Sequence, residues 1–543
     1  MKNRSFFNSR SFKYGSMSVL ITALVIAAII VFNVIFSALG AKYGWYMDLT
    51  REQIYTLSDA CVELLDETFE KVDAEREEPV KVKIKFCDLE DNLMANTTQR
   101  YVLMTAKELA QEFPDKVEIE YVNIWENPTA VEPYKTSAVS KIFSNNIIIE
   151  SGSEYRVYSI DKFYLTNANS TTPWAYFGEK RFASAILAVT QAEAPIAAVL
   201  SGHRENFANS SLIEVLDLAG YKVIEVKDLV NEELPENCRL IVCYNPTSDF
   251  MDAGSIADEK HSEIKVLESF LADNNHSFMV FMNPSSPRLP VLEGYLELWG
   301  VSFMRKQVDK NLYHSYTVKD SSNALTGDGL TFISEYETLG LGASITKDLR
   351  STSVPRKVIF KNAMPIAIAP EYDLRYAEEN GSSLKYGFKA IGSGAEREIY
   401  HIFKGSQKAV GMLNGTEALK STATEKLGLM TISRQSRLVQ EDNIGFSHAD
   451  LSSYVIACGS TDFVSEAILN SATYGNSEFL LNLFYETGKE NIPASLPITP
   501  FSDTTIDTLT VDRANAYTLM FTAIPTVIVF GLGIFVIVRR KHS

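Results

Sequence analysis

Two stretches of the chain carry no charge, residues 14–41, centred on VLITALVIAAIIVFNVIFSAL, and residues 514–538. Each exceeds the roughly 20 apolar residues that cross a hydrocarbon core. Between them the apolar positions follow short periods. In YMDLTREQIYTLSDACVELLDETFEKV, Leu57, Cys61, Leu64, Leu65 and Val72 share one helical face, Thr56 or Ser58 can cap it, and the acidic run 73–78 ends it. Residues 80–86 alternate strictly, as a strand with one buried face does. A helix over about 99–113, a strand over 117–124, and a hairpin of Ile147-Ile148-Ile149 and Tyr155-Arg156-Val157-Tyr158 around Ser151-Gly152 follow. That order predicts a small α/β domain of thioredoxin-like plan. It has no CxxC pair, so a redox role does not accompany it.

A connecting helix starting at Gly178-Glu179-Lys180-Arg181 leads to Pro195, after which the pattern becomes doubly wound. Apolar strands at 196–200, 221–226, 240–244 and 278–282 alternate with helices at 211–219, 256–272 and 289–299. Ser211 and Glu214 have capping-box spacing, and Gly220 and Gly300 stand where helices close. Residues 304–450 are rich in Ser, Gly and Thr and read as a β-rich insertion or subdomain. Tyr454-Val455-Ile456-Ala457-Cys458 then returns to the buried-strand pattern and adds a late strand to the same sheet, followed by a helix near 478–485.

The expected organisation is a tail (1–13), a first transmembrane helix (14–41), a membrane-proximal helix with the small α/β domain (42–190) and a doubly wound domain (191–303). The β-rich segment (304–450), a return to the α/β domain (451–492), a Pro-marked stalk (493–513), a second transmembrane helix (514–538) and a tail (539–543) complete it.

Charge orients this plan. Lys2, Arg4, Arg10 and Lys13 precede the first apolar segment without an acidic residue, and Arg539-Arg540-Lys541 follows the second. Cationic flanks stay cytoplasmic, which puts both termini inside and residues 42–513 outside the cytoplasm. Ser37-Ala38-Leu39-Gly40-Ala41 has the small residues of a cleavage site, but the apolar run is longer than a signal core of about 7–15 residues and reads as an anchor. Taking the four leading and three trailing cations from the net charge of −17 leaves −24 on the intervening segment. Such a surface repels nucleic acid, and no basic stripe carries aromatics. Two isolated spans do not enclose a solute pathway. Cys61, Cys87, Cys238, Cys243 and Cys458 form neither a disulfide framework nor a zinc motif; a Cys238–Cys243 bridge and buried free thiols are the alternatives.

Ligands of doubly wound sheets collect beyond the carboxyl ends of the strands. Four such ends carry polar turns: Ser201-Gly202-His203-Arg204-Glu205, Asn245-Pro246, Asn283-Pro284-Ser285 and Gly459-Ser460-Thr461-Asp462. His203, Arg204, Glu205, Asn283 and Asp462 are the contact candidates for a ligand or partner, and helix N-termini there would favour an anion. The competing reading is a structural corner, since turns after strands need Gly, Asn, Pro and Ser for backbone reasons alone. Catalysis lacks companions: there is no GxSxG elbow, no HExxH spacing and no GxxxxGK[ST] loop. Neither a catalytic residue, a metal nor a cofactor is expected.

Three features resemble the auxiliary components of ABC-type transport systems related to gliding motility, the GldG-like family. They are Asp48-Leu49-Thr50 with Tyr55-Thr56-Leu57-Ser58, similar to a D-L-T-x-x-x-x-Y-x-L-S entry; Gly202-His203-Arg204-Glu205, similar to a G-H-x-E strand end; and the closing apolar helix with its cationic tail. Asn283-Pro284 stands where the family often has D-P, and Gly459-Ser460-Thr461-Asp462 where it has G-D-S-D. The resemblance implies a non-catalytic membrane subunit working beside a multi-span permease and a separate ATP-binding subunit. It also implies a sheet of flavodoxin-like, class I glutamine-amidotransferase-like plan without that fold's nucleophile. A surface-anchored hydrolase or carbohydrate-binding protein using the GHRE strand end is the alternative.

Overall fold

A computed structural model describes residues 23–32, 34–35, 54–76, 78–135, 141–166, 172–191, 194–205, 210–252, 262–310, 312–351, 355–379, 382–392, 394–422, 425–441, 445–471, 473–488, 496 and 498–501. The protein is a mixed α/β structure with several sheets.

Helix α1 (Asp59–Glu75) begins where the Ser58 hydroxyl accepts from the Cys61 amide at 3.3 Å. It buries Cys61, Leu65, Thr68, Phe69 and Val72, while Leu57 and Leu64 are only half-buried. The buried stripe is thus rotated toward Phe69, which meets Phe113 edge-on at 5.3 Å. Strand β1 (Val82–Phe86) buries Val82, Ile84 and Phe86, the alternation read from the sequence. Helix α2 (Thr97–Glu112) is capped by the Asn96 side chain. Strand β2 (Val117–Tyr121) and the hairpin of β3 (Asn146–Ser151) and β4 (Glu154–Ser159) complete a sheet ordered β2-β1-β3-β4. β1 and β2 run parallel, β3 antiparallel to β1, and β4 antiparallel to β3.

Helix α3 (Gly178–Thr190) is buried along its length except at half-buried Glu179. Three consecutive charged residues tie it in different directions. The Glu179 carboxylate accepts from the Ser58 amide at 2.9 Å and from the Ser58 hydroxyl. Burial of Lys180 pulls its ammonium down to about 8. Arg181 donates to Asp217 Oδ2 at 2.9 Å and to the Lys162 carbonyl at 3.1 Å, and its guanidinium faces the Tyr158 and Phe177 rings.

The large sheet is built from β5 (Ile196–Leu200), α4 (Ser210–Leu218), β6 (Lys222–Val226), β7 (Cys238–Tyr244), α5 (Glu263–Ala272), β8 (Ser277–Phe281) and α6 (Pro290–Leu298). Then come β9 (Arg305–Asp309), β10 (Leu312–Ser315), β11 (Thr317–Asp320), β12 (Asp373–Glu379), β13 (Ser382–Ala390) and β14 (Ala395–Lys404). β15 (Ala409–Leu413), β16 (Thr416–Lys420), β17 (Gly428–Glu441), β18 (Gly445–Cys458) and α7 (Asn476–Gly488) close the series. The main path is β12-β13-β14-β17-β18-β8-β7-β5-β6. Its half from β18 to β6 is parallel and the half from β12 to β18 is antiparallel.

The parallel half explains its own sequence. Ala197 and Val199 of β5, Val242 of β7 and Met279 and Phe281 of β8 enter one core, and Ile196, Ala198, Ile241, Phe278 and Val280 enter the other. Strands covered on both faces have no polar face to show, so they read as unbroken apolar runs. The late strand expected at 454–458 is the end of β18 and pairs with β8 in parallel. Four strands of the segment 304–450, β12, β13, β14 and β17, extend the main path of this sheet, the short strands Glu335–Tyr336 and Ile366–Ile368 pair onto it off that path, and β9–β11, β15 and β16 form small sheets beside it.

Two local expectations need correction. Helix α4 starts at Ser210, so Ser211 lies inside it, and Glu214 pairs with Lys162 in place of a capping box. The helix read over 256–272 is described as Glu263–Ala272, with residues 253–261 outside the described residues. Of the first apolar segment, residues 23–32 and 34–35 are described, helical and exposed, Leu24 at 62% and Phe32 at 63%. Among the described residues no helix is long and apolar enough to cross a membrane, and the second apolar segment lies outside them.

Candidate functional site

Because β5, β7, β8 and β18 are parallel, the four polar turns share one edge of the sheet. The edge nevertheless holds two separate constellations.

The first is built on the turn after β5. Ser201 continues the ladder by donating to the Val226 carbonyl at 2.9 Å. A Cβ on Gly202 would stand 2.1 Å from the Lys227 carbonyl oxygen, so the neighbouring backbone leaves room for glycine only. Arg204 follows with φ +58°, the left-handed region, and its side chain is exposed. The reversal lets Glu205 fold back: its Oε2 accepts from the His203 amide at 2.7 Å, and its Oε1 lies 3.2 Å from His203 Nδ1. On the other side His203 Nε2 lies 3.0 Å from Glu263 Oε2. Glu263 is the first residue of α5, where the helix dipole favours an anion, and it also accepts from the Met251 amide at 2.7 Å. The Phe250 ring stacks on the imidazole, 3.8 Å between centroids and 2° between planes. The His203 carbonyl accepts from the amides of Thr247 and Ser248, both at 3.0 Å.

His203 and Glu205 are 5% and 8% exposed. Burial opposes charge on the imidazole, but its hydrogen bonds to Glu205 and Glu263, with the charges of the same two carboxylates, outweigh burial and raise the ring to about 9. At neutral pH both ring nitrogens therefore donate, each to a carboxylate. No lone pair is left for a general base, and among the described residues no hydroxyl hydrogen-bonds the ring. The Cys243 thiol lies 3.7 Å from Glu205 Oε1; burial, then the Glu205 charge, push its pKa well above the ordinary thiol range, which keeps it protonated. All five cysteines are free and buried, so the Cys238–Cys243 alternative is not realised.

The second constellation lies beyond β8 and β18. Asn283 accepts from the Ser285 amide at 2.7 Å and donates through Nδ2 to Thr461 Oγ1 at 2.8 Å. The Ser286 hydroxyl donates to Asn245 Oδ1 at 2.8 Å and accepts from the Asn283 amide at 2.9 Å. Asp462 accepts from Asn362 Nδ2 at 2.9 Å and lies 3.6 Å from Lys361 Nζ. Among the described residues no hydrogen bond or ion pair joins His203 or Glu205 to Asn283 or Asp462. No group of His, Cys, Asp and Glu suited to a metal occurs among the described residues.

Sequence reasoning missed Glu263 and Phe250. The only local signal for Glu263 was Ser262 just before it, a cap residue within a span read as continuous helix.

No family model and no curated protein matches the chain. Among solved structures it is similar to the mmIFT52 N-terminal domain, at 11% identity and a TM-score of 0.33 over 54% of this chain and 96% of that one. It is also similar to the exo-beta-1,4-mannosidase Op5Man5 from Opitutaceae bacterium strain TAV5, at 10% identity and a TM-score of 0.22 over 80% of this chain and 56% of that one. At these scores neither likeness bears on fold or activity.

Proposed function

We propose that the protein is a non-catalytic auxiliary subunit of an ABC-type transport system, GldG-like, anchored by two spans with both termini cytoplasmic. The observation that carries this reading is the exposed apolar helix at 23–32 and 34–35, whose Leu24, Val25, Ile29, Ile30, Val31 and Phe32 are each more than half exposed. Such a patch on a folded chain calls for a membrane or a partner. The ectodomain, residues 42–513, binds a partner or ligand and couples it to a separate permease and ATP-binding subunit. The order β2-β1-β3-β4 and its polarity support a thioredoxin-like first part, and the parallel path β18-β8-β7-β5-β6 supports a flavodoxin-like second part. The clamped state of His203 favours this reading over a hydrolase built on the GHRE turn.

Purification of the tagged full-length chain from native membranes in mild detergent tests the assignment. The expected result is co-elution of an ATP-binding chain and a multi-span permease. Recovery of this chain alone, under conditions that keep other membrane complexes intact, would sink it.

A further inference from the structure

Past the carboxyl end of β8, the turn after Asn283 forms one wall of a groove of about 670 Å³. The opposite walls are β10, β11 and the turn between β15 and β16, where Asn414 and Gly415 both have positive φ, +50° and +78°, as a two-residue hairpin turn requires. The groove has the size of a small-molecule site. It adjoins the second constellation, whose Ser285 and Ser286 line it and whose Asn283 shapes its wall.

Buried Arg305 bolts the walls together. Its Nη1 donates to the Ser286 carbonyl at 2.9 Å and to Ser315 Oγ at 2.5 Å, its Nη2 donates to the Pro287 carbonyl at 3.0 Å, and Glu293 neutralises it at 3.1 Å. Its donors and charge are thereby engaged, so it serves as scaffold.

Two further cations line the groove, Lys319 within the field of Asp328 and Arg288 within that of Glu293. The His314 imidazole stands beside them, and among the described residues none of the three makes an ion pair within 4 Å or a side-chain hydrogen bond. Arg288 is held in place by stacking, its guanidinium carbon 3.9 Å from the Tyr313 ring centroid. That contact leaves the edge of the fork, with its N–H donors, free to meet an anion. Among the described residues Asp328 is the one acidic lining residue; its Oδ1 accepts from Thr326 Oγ1 at 2.6 Å and from the Leu330 amide at 3.0 Å, and one carboxylate stands against the two cations. On a chain of net charge −17 this local excess of cations runs against the field of the whole molecule. Beside the cations stand the side chains of Ser285, Thr317 and Asn414, which have no hydrogen-bond partner among the described residues.

A guanidinium fixed by a ring and a second cation, with hydroxyl and amide groups beside them, match a ligand that is both charged and rich in hydroxyls. We infer that this groove binds an anionic saccharide, a sugar bearing a carboxylate or a phosphate, with Arg288 and Lys319 taking the anion and Ser285, Thr317 and Asn414 the ring hydroxyls. The inference does not depend on the transport reading, because binding is measured on this chain alone.

Titration calorimetry on the detergent-solubilised full chain tests it with four probes: trigalacturonate, glucose 6-phosphate and their neutral counterparts, galactotriose and glucose. At least one acid binds about tenfold or more tightly than its neutral counterpart, as loss of a charge-assisted hydrogen bond implies, and which acid does so identifies the anionic group. The double variant R288Q/K319Q loses that preference while keeping the near-ultraviolet circular dichroism of the wild type. Should that variant not fold, R288Q alone, at an exposed side chain, carries the same expectation. Equal affinity for acid and neutral probes, no binding of either acid, or an acid preference that survives in the folded variant overturns the proposal.

Discussion

His203 Nε2 lies 3.0 Å from Glu263 Oε2, a contact between residues sixty positions apart that fastens the turn after β5 to the first residue of α5. With Glu205 on the other nitrogen, the ring is clamped between two carboxylates inside the protein. Glu263→Gln keeps an acceptor for the Met251 amide but removes one charge that holds the imidazolium. Breaking a buried charge pair costs about 3–5 kcal/mol when one partner is left uncompensated. Glu205 remains, so the expected loss is about 2 kcal/mol in denaturant unfolding of the solubilised chain. A variant as stable as the wild type would remove the clamp from the account of this corner.

The same contact sets a pH dependence with a definite sign. Burial disfavours the charged ring, yet the bonds to Glu205 and Glu263 raise His203 from 6.5 to about 9 in the folded chain. A raised cationic pKa stabilises the fold fully below the unfolded value of 6.5, and the contribution disappears as pH rises through about 9. The gap corresponds to about 3 kcal/mol. Stability measured from pH 6 to pH 10 should therefore fall in the wild type, and His203→Gln should flatten that part of the curve. Parallel curves for the two proteins would show that another group governs this range.

How much of this was legible in the sequence depends on range. Residues 196–200, 240–244, 278–282 and 454–458 declared themselves because burial on both faces forbids polar interruption. The ladder of β17 and β18 did not: Thr431, Ser433, Ser436, Ser452 and Ser453 are all buried in it, and their polarity imitates a loop. At the corner, Gly202, His203 and Glu205 were visible as a cluster because they are neighbours in the chain. Glu263 was not, since local spacing carries no record of which distant helix start will meet the ring. That no direct bond joins the two groups among the described residues has the same origin. Parallel strands bring the four turns to one edge, but side-chain partners such as Thr461 for Asn283 and Asn362 for Asp462 decide which groups remain apart.

Gly202 offers a separate check on why this turn carries glycine. Its missing Cβ would meet the Lys227 carbonyl at 2.1 Å, a backbone atom that cannot rotate away. Gly202→Ala must then push apart the segments following β5 and β6, at a cost of about 2–3 kcal/mol, in the range of overpacking a core. A drop in melting temperature is expected, larger than that from Arg204→Ala at the exposed neighbour. If both substitutions are neutral, the close approach is not a constraint on the fold.

Arg181 and Asp217 make the last case, because the two partners are buried unequally. The Arg181 side chain is 2% exposed and that of Asp217 is 24% exposed, with Nη1 and Oδ2 2.9 Å apart. Arg181→Met removes the buried charge and leaves an apolar stem beside Tyr158 and Phe177. Asp217 then retains solvent, the Tyr158 hydroxyl at 3.2 Å and Arg156 at 3.9 Å. Asp217→Ala does the opposite, leaving a guanidinium in the interior with, among the described residues, the Lys162 carbonyl and two ring faces to meet it. An uncompensated buried charge is the costlier outcome. Asp217→Ala should accordingly destabilise by about 3 kcal/mol or more, and Arg181→Met by roughly half as much. The double variant should be more stable than Asp217→Ala alone, since it no longer strands the cation. Because α3 carries Arg181 between Ser58 on one side and α4 on the other, Asp217→Ala should also speed proteolysis of the chain. Denaturant unfolding of the three variants decides the order, and a double variant weaker than both singles would show that the pair contributes through packing instead of charge.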